Sequence, residues 1–99
     1  MAEVQVVLWR DIPAQVKARQ GRQRAAKVLD SRFQEAVDAA AMRAGLTDTD
    51  DYLAEWHTSA WEERPGPPEQ AADQRVAEIE SEYTAERLRS MVDNGGREL

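Results

Sequence analysis

The sequence contains no cysteine and a single histidine. The first absence excludes a disulfide framework, thiolate metal sites and thiol nucleophiles. The second leaves His57, with only Glu55 near it in sequence, well short of the converging ligands that a metal needs, so no metal and no cofactor is expected. Long apolar runs are missing as well. Met1-Ala2-Glu3 followed by Val4 to Trp9 is too short for a signal peptide or membrane span, from which a cytoplasmic location and no membrane partner are expected. Large apolar side chains are few: of the 41% of residues that are hydrophobic, 16 are alanine, leaving 25 to build a core. Ninety-nine residues allow one small core at most, and a deep substrate cavity is not expected.

Positive charge is also in deficit, with 13 Lys and Arg against 19 Asp and Glu and a net charge of -6, which argues against general affinity for nucleic acid. The distribution is uneven. Residues 1–45 carry +3 and residues 46–99 carry -9. Between Arg10 and Arg32 the cations Arg10, Lys17, Arg19, Arg22, Arg24, Lys27 and Arg32 face only Asp11 and Asp30. This segment is the one candidate anion patch.

Val4, Val6 and Leu8 alternate with Gln5, Val7 and Trp9, which predicts a strand over about 3–10 with apolar residues on both faces. From Ile12 the alternation is cleaner: Ile12, Ala14, Val16 and Ala18 on one face, Pro13, Gln15, Lys17 and Arg19 on the other. Gln20-Gly21 reads as a hairpin turn, and Arg24 to Leu29 suits either a third strand or a helix. Phe33, Ala36, Val37, Ala40, Ala41 and Ala44 then form one helical stripe, with Ser31 and Gln34 as a capping box and Gly45 as the stop. A second, shorter helix begins after Thr47 or Asp48 and presents Tyr52, Leu53, Trp56 and Ala60. Residues 62–68, with three prolines, read as a linker. Residues 69–93 predict one long amphipathic helix in which Val76, Ile79 and Tyr83 form a partner face and Leu88, Met91 and Val92 follow after a slip in phase. Residues 94–99 read as a flexible tail. No internal repeat is visible. The expected fold is α+β: two or three antiparallel strands packed with two helices in residues 1–61, plus the long terminal helix.

The usual catalytic patterns are absent. Asp48, Asp50 and Asp51 miss the calcium-loop spacing, since Leu53 stands where glycine and Ser59 where glutamate would be needed. The serines Ser31, Ser59, Ser81 and Ser90 lack a glycine-flanked elbow, and no glycine-rich phosphate loop exists. An acid–base role would fall to Asp11 or a tyrosine, without a supporting constellation. Two features stand out. Trp9-Arg10-Asp11-Ile12-Pro13 puts an indole, a planar cation and a carboxylate at a strand junction, either to orient a partner or anion or to satisfy local backbone. The arginines Arg19, Arg22, Arg24 and Arg32 are able to grip phosphate or carboxylate in pairs of hydrogen bonds.

Val6 to Val16, reading Val-Val-Leu-Trp-Arg-Asp-Ile-Pro-Ala-Gln-Val, together with Arg32 to Gly45 and Asp51 to Trp56, resembles the small bacterial virulence factor domain family, and the C-terminal domain of conserved virulence factor C is similar. The resemblance covers about residues 3–57 and leaves the tail from Trp61 outside. It implies an accessory role beside methyltetrahydrofolate- and corrinoid-dependent one-carbon enzymes, and it supplies no catalytic residue. The expected function is a non-catalytic accessory or adaptor protein bound to a larger enzyme, with self-association through the terminal helix as a further possibility. The alternative is a domain that binds a small anion, a folate or nucleotide, through Trp9, Arg10, Asp11, Arg22, Arg24 and Arg32.

Overall fold

The computed structural model describes residues 1–46 and 48–98. Its order is β1 (Ala2–Trp9), β2 (Ile12–Gln20), β3 (Gln23–Val28), α1 (Ser31–Arg43), α2 (Thr49–Leu53), β4 (Trp56–Thr58), β5 (Glu62–Arg64), α3 (Pro68–Glu82) and α4 (Ala85–Asp93). The five strands form one antiparallel sheet, β3-β2-β1-β4, with β5 also on β1. This corrects the expectation of two or three strands under two helices and one long terminal helix. The two extra strands have three residues each, too few for alternation to stand out in a sequence. β5 lies within the segment read as a linker, and Trp56, expected on the second helix, begins β4.

β4 and β5 are two parts of one irregular edge. Val7 pairs with Thr58 and Val4 with Glu62, so Ser59, Ala60 and Trp61 oppose only Gln5 and Val6, a one-residue bulge. Ser59 closes the gap. Its backbone N–H donates to the Val6 carbonyl (2.9 Å) and its hydroxyl accepts from the Val6 N–H (2.9 Å).

The expected long helix breaks at Tyr83, whose ψ of 84° is not helical, and restarts behind Thr84, whose hydroxyl accepts from the Arg87 N–H at 3.1 Å. The slip in phase between Tyr83 and Leu88 is this break. α3 lies across β1, β2 and β3, and α4 packs on α1. The alanine stripe of α1, Ala36, Ala40 and Ala41, is buried and lets its neighbours approach closely. α1 is capped by Asp30 in place of the expected Ser31 box, its carboxylate accepting from the Arg32 N–H at 3.1 Å. At its other end Gly45, at φ 74°, donates to the Met42 carbonyl and Leu46 to that of Ala41, a pattern that satisfies the last carbonyls. Asp48 caps α2, and Thr47 lies outside the described residues.

The core gathers Val4, Val16 and Ile12 from the sheet with Phe33, Val37, Ile79 and Met91 from the helices. Burying each such side chain contributes about 1.5–3 kcal/mol. Among the described residues no helix is long and apolar enough to cross a membrane.

Candidate functional site

The residues singled out in the sequence separate into three places. Trp9, Arg10 and Asp11 stay together at the β1–β2 turn, where Arg10 takes a left-handed conformation (φ 53°) at a cost of about 1–2 kcal/mol. Several contacts hold it there. Its guanidinium donates to the Gly95 carbonyl and to Glu55 Oε1, both at 3.0 Å, its N–H donates to the Glu55 carbonyl at 3.1 Å, and His57 Nε2 contacts its carbonyl. Asp11 binds the chain end: its N–H donates to the Gly96 carbonyl (2.9 Å), and its carboxylate accepts from the Glu98 N–H (2.7 Å). Trp9 is fully buried, stacked on Tyr52 at 5.7 Å with its indole N–H on the Tyr52 carbonyl at 2.9 Å.

Residues 94–98, read from the sequence as a tail, fold back over this corner. A Cβ on Gly96 would lie 2.8 Å from Trp9 Cζ3, so only glycine fits there, and its φ of 95° makes the same demand. Arg87 grips the Glu98 carboxylate at 2.5 and 2.7 Å. Those two hydrogen bonds lower the Glu98 pKa from its ordinary value. Leu99 lies outside the described residues.

Arg32 sits elsewhere, closing the C-terminal end of α3. Its guanidinium donates to the carbonyls of Tyr83 and Glu80, the latter at 2.6 Å, and to Asp30 at 3.1 Å, and it stacks on the Phe33 ring at 4.6 Å. The expected partner face of the terminal helix points at the protein's own sheet. Ile79 is buried, and Val76 and Tyr83 are half-buried against the core, where burial raises the Tyr83 phenol above its ordinary value.

Arg22 and Arg24 lie at the β2–β3 hairpin, the length of nine-residue β2, roughly 26 Å, from the Arg10 corner. They belong to a different surface, the face of the sheet that alternation turns away from the core. Cross-strand pairing aligns its side chains in three rows: Glu63, Glu3, Arg19 and Arg24; Gln5, Lys17 and Ala26; Thr58, Val7, Gln15 and Val28. Lys17, Arg24, Ala26, Val28 and Thr58 are exposed. The bulge brings Trp61 into this face. Its ring packs under the Arg19 guanidinium, 3.8 Å from the ring centroid, while Arg19 also pairs with Glu3 at 3.0 Å. Gln5, Lys17, Arg24, Ala25, Ala26 and Trp61 line a shallow groove of about 400 Å³.

The charges there are distinctive. Among the described residues nine of the 13 Lys and Arg side chains form ion pairs. The four without one are Lys17, Arg22, Arg24 and Arg89, and three of these stand together at the hairpin end of the open face. A second cavity, about 330 Å³ between β1, the bulge and α3, is lined by Val4, Val6, Ile79, Arg75 and Tyr83 among others. Three of its polar side chains are already engaged: Ser59 with Val6, Glu62 with Arg64 at 3.5 Å, and Arg75 with Glu78 at 3.2 Å. The open face is therefore the candidate binding surface. Lys17 and Trp61 were absent from the expected site because only the alternation parity of β2 and the bulge bring them beside Arg24.

The family model described as virulence factor matches residues 7–92. The chain belongs to this family. No curated protein and no solved structure matches it. The match runs well past residue 57 and through α3 and α4, so the segment after Trp61, expected to fall outside the family pattern, is part of it. The fold gives the reason: α3 covers the inner face of the sheet, and without it Val4 and Val16 would lie bare.

Proposed function

We propose that this member of the virulence factor family is a non-catalytic accessory protein that binds a larger enzyme through the open face of its sheet. The observation that carries this reading is the contrast in engagement. The Trp9 corner, Arg32 and the stripe of α3 are all used to hold the chain to itself, whereas on the open face Lys17, Arg22 and Arg24 have no ion-pair partner and stand near a half-buried indole, with only Arg19 of that face's cations paired, to Glu3. Arginine and tryptophan on such a surface are the side chains that dominate protein interfaces. One-carbon enzymes are the first partners to test, given the context that the resemblance implies.

The test is affinity isolation of the tagged chain from its native lysate, with mass spectrometry and quantification of what co-elutes. A single enzyme in about 1:1 proportion, lost when Trp61→Ala removes the indole, is the expected result; a chain that comes down alone overturns the reading. A second reading, a small anion such as a folate or nucleotide bound on the same face, is favoured by the same unpaired cations. Its signature is a thermal shift that grows with ligand concentration and disappears in Arg24→Ala.

A further inference from the structure

Resting on the accessory-protein reading, we infer that the part of the partner that meets the open face is an acidic, extended peptide segment, lying along β2 and β3 beside Trp61. Three observations specify that chemistry. The first is charge: Lys17, Arg22 and Arg24 are exposed and unpaired in a chain of net charge -6 that neutralises most of its other cations internally. A negative occupant completes this surface, and a positive one is repelled.

The second is spacing. Lys17 pairs with Ala26 and Arg19 with Arg24, so Lys17 and Arg24 are diagonal neighbours on one face, roughly 7–8 Å apart. Carboxylates on alternate residues of an extended chain are separated by about 6.6 Å, which matches that interval. Arg24 is further pinned at the turn, where its guanidinium donates to the Gly21 carbonyl at 2.7 Å and to that of Gln23 at 3.1 Å.

The third is relief. Ala26 floors the groove with a small side chain, which lets a peptide backbone come close. Trp61 forms its wall and supplies apolar contact for the methylene stem of an acidic side chain. A nucleic acid strand is less well served, because successive bases need successive stacking platforms and Arg19 already covers one face of this single indole.

The experiment uses the purified full-length chain and a fluorescent glutamate peptide of about ten residues, with an oligothymidylate of similar length and inorganic phosphate in parallel. The glutamate peptide is expected to bind, to weaken as salt rises, and to bind roughly tenfold more weakly to the double variant Lys17→Glu with Arg24→Glu. Arg43→Glu with Arg89→Glu makes the same change of total charge on α1 and α4 and is expected to leave binding unchanged. The inference is overturned if the glutamate peptide fails to bind at about 1 mM, if both double variants weaken it equally, or if the oligothymidylate or phosphate binds more tightly. Salt-sensitive self-association of the chain alone, seen by light scattering and abolished by Lys17→Glu with Arg24→Glu, also overturns it by making the acidic half of a second copy the occupant. The two readings fail separately. A partner that co-isolates undiminished with Lys17→Glu and Arg24→Glu in place sinks the acidic segment and leaves the accessory role, while a chain that comes down alone sinks the accessory role itself.

Discussion

Two regions of this molecule each set a tryptophan beside arginines in space, and they differ in what those arginines touch. At the β1–β2 corner Arg10 is mostly buried and hydrogen-bonded to Gly95 and Glu55, over a Trp9 that has no exposure at all. On the open face Trp61 is half-buried, and Lys17, Arg22 and Arg24 have no acidic partner. An arginine buried with its donors taken by the chain's own groups and its charge matched by a carboxylate is structural, because any ligand would have to displace bonds already made away from water. Arg24 also donates to carbonyls, those of Gly21 and Gln23, but does so in the open and with no acidic partner. One that faces water with its charge uncompensated is available. The sheet thus has a corner that holds its chain end and a face left to something else.

Substitutions at the corner should cost stability and those on the face should not. The largest loss is expected for Trp9→Ala, about 3–5 kcal/mol in urea unfolding followed by circular dichroism, since it removes a fully buried indole and its stacking on Tyr52. A loss below 1 kcal/mol would mean that the corner is not the anchor described. Gly96→Ala comes next, at about 2–3 kcal/mol, because the new methyl meets Trp9 and the left-handed backbone disfavours any Cβ. Arg10→Ala should cost about 1–3 kcal/mol by leaving Glu55 and the Gly95 carbonyl without their donor. By contrast, Lys17→Glu with Arg24→Glu should leave the unfolding free energy within about 0.5 kcal/mol of the parent while altering binding. A large destabilisation there would erase the distinction between the regions.

Acid sharpens the comparison on a third side. Arg64 donates two hydrogen bonds to Glu78 and holds its carboxyl below the ordinary value of 4.5, tying β5 to α3. A carboxyl with a lowered folded pKa stabilises the fold fully above its unfolded value and loses that contribution as pH falls through the folded one. The β5–α3 contact should therefore loosen below about pH 4.5, and Glu98 should behave likewise, both read as lower amide-exchange protection, relative to the intrinsic rate at each pH, in residues 62–64 and 95–98. Glu78→Gln should remove the β5 part of that dependence, and an unchanged acid profile in that variant would assign the loosening to other groups.

Much of the fold was legible. The alternation of Ile12, Ala14, Val16 and Ala18 and the stripe from Phe33 to Ala41 are local consequences of strand and helix periodicity, and both recur as buried faces. Gly45 likewise stops α1. Such features depend only on neighbours within a few residues, so a sequence carries them openly. β4 and β5 depend on β1 for their hydrogen bonds, about 50–60 residues away, and three residues show no period of their own. The same holds for the candidate site. The basic outer positions of β2 could be read, but not that Arg10 would be tied to Gly95, Arg32 to the end of α3, or Trp61 to Arg19. The amino-acid sequence by itself determined the apolar faces of β2 and α1, roughly where β1, β2 and α1 start and stop, and that positive charge gathers in the first third. Only the tertiary structure decided which of those charges are neutralised and which stand free, because pairing is a matter of distance in space, and the fold brings residues 95–98 back to the β1–β2 corner.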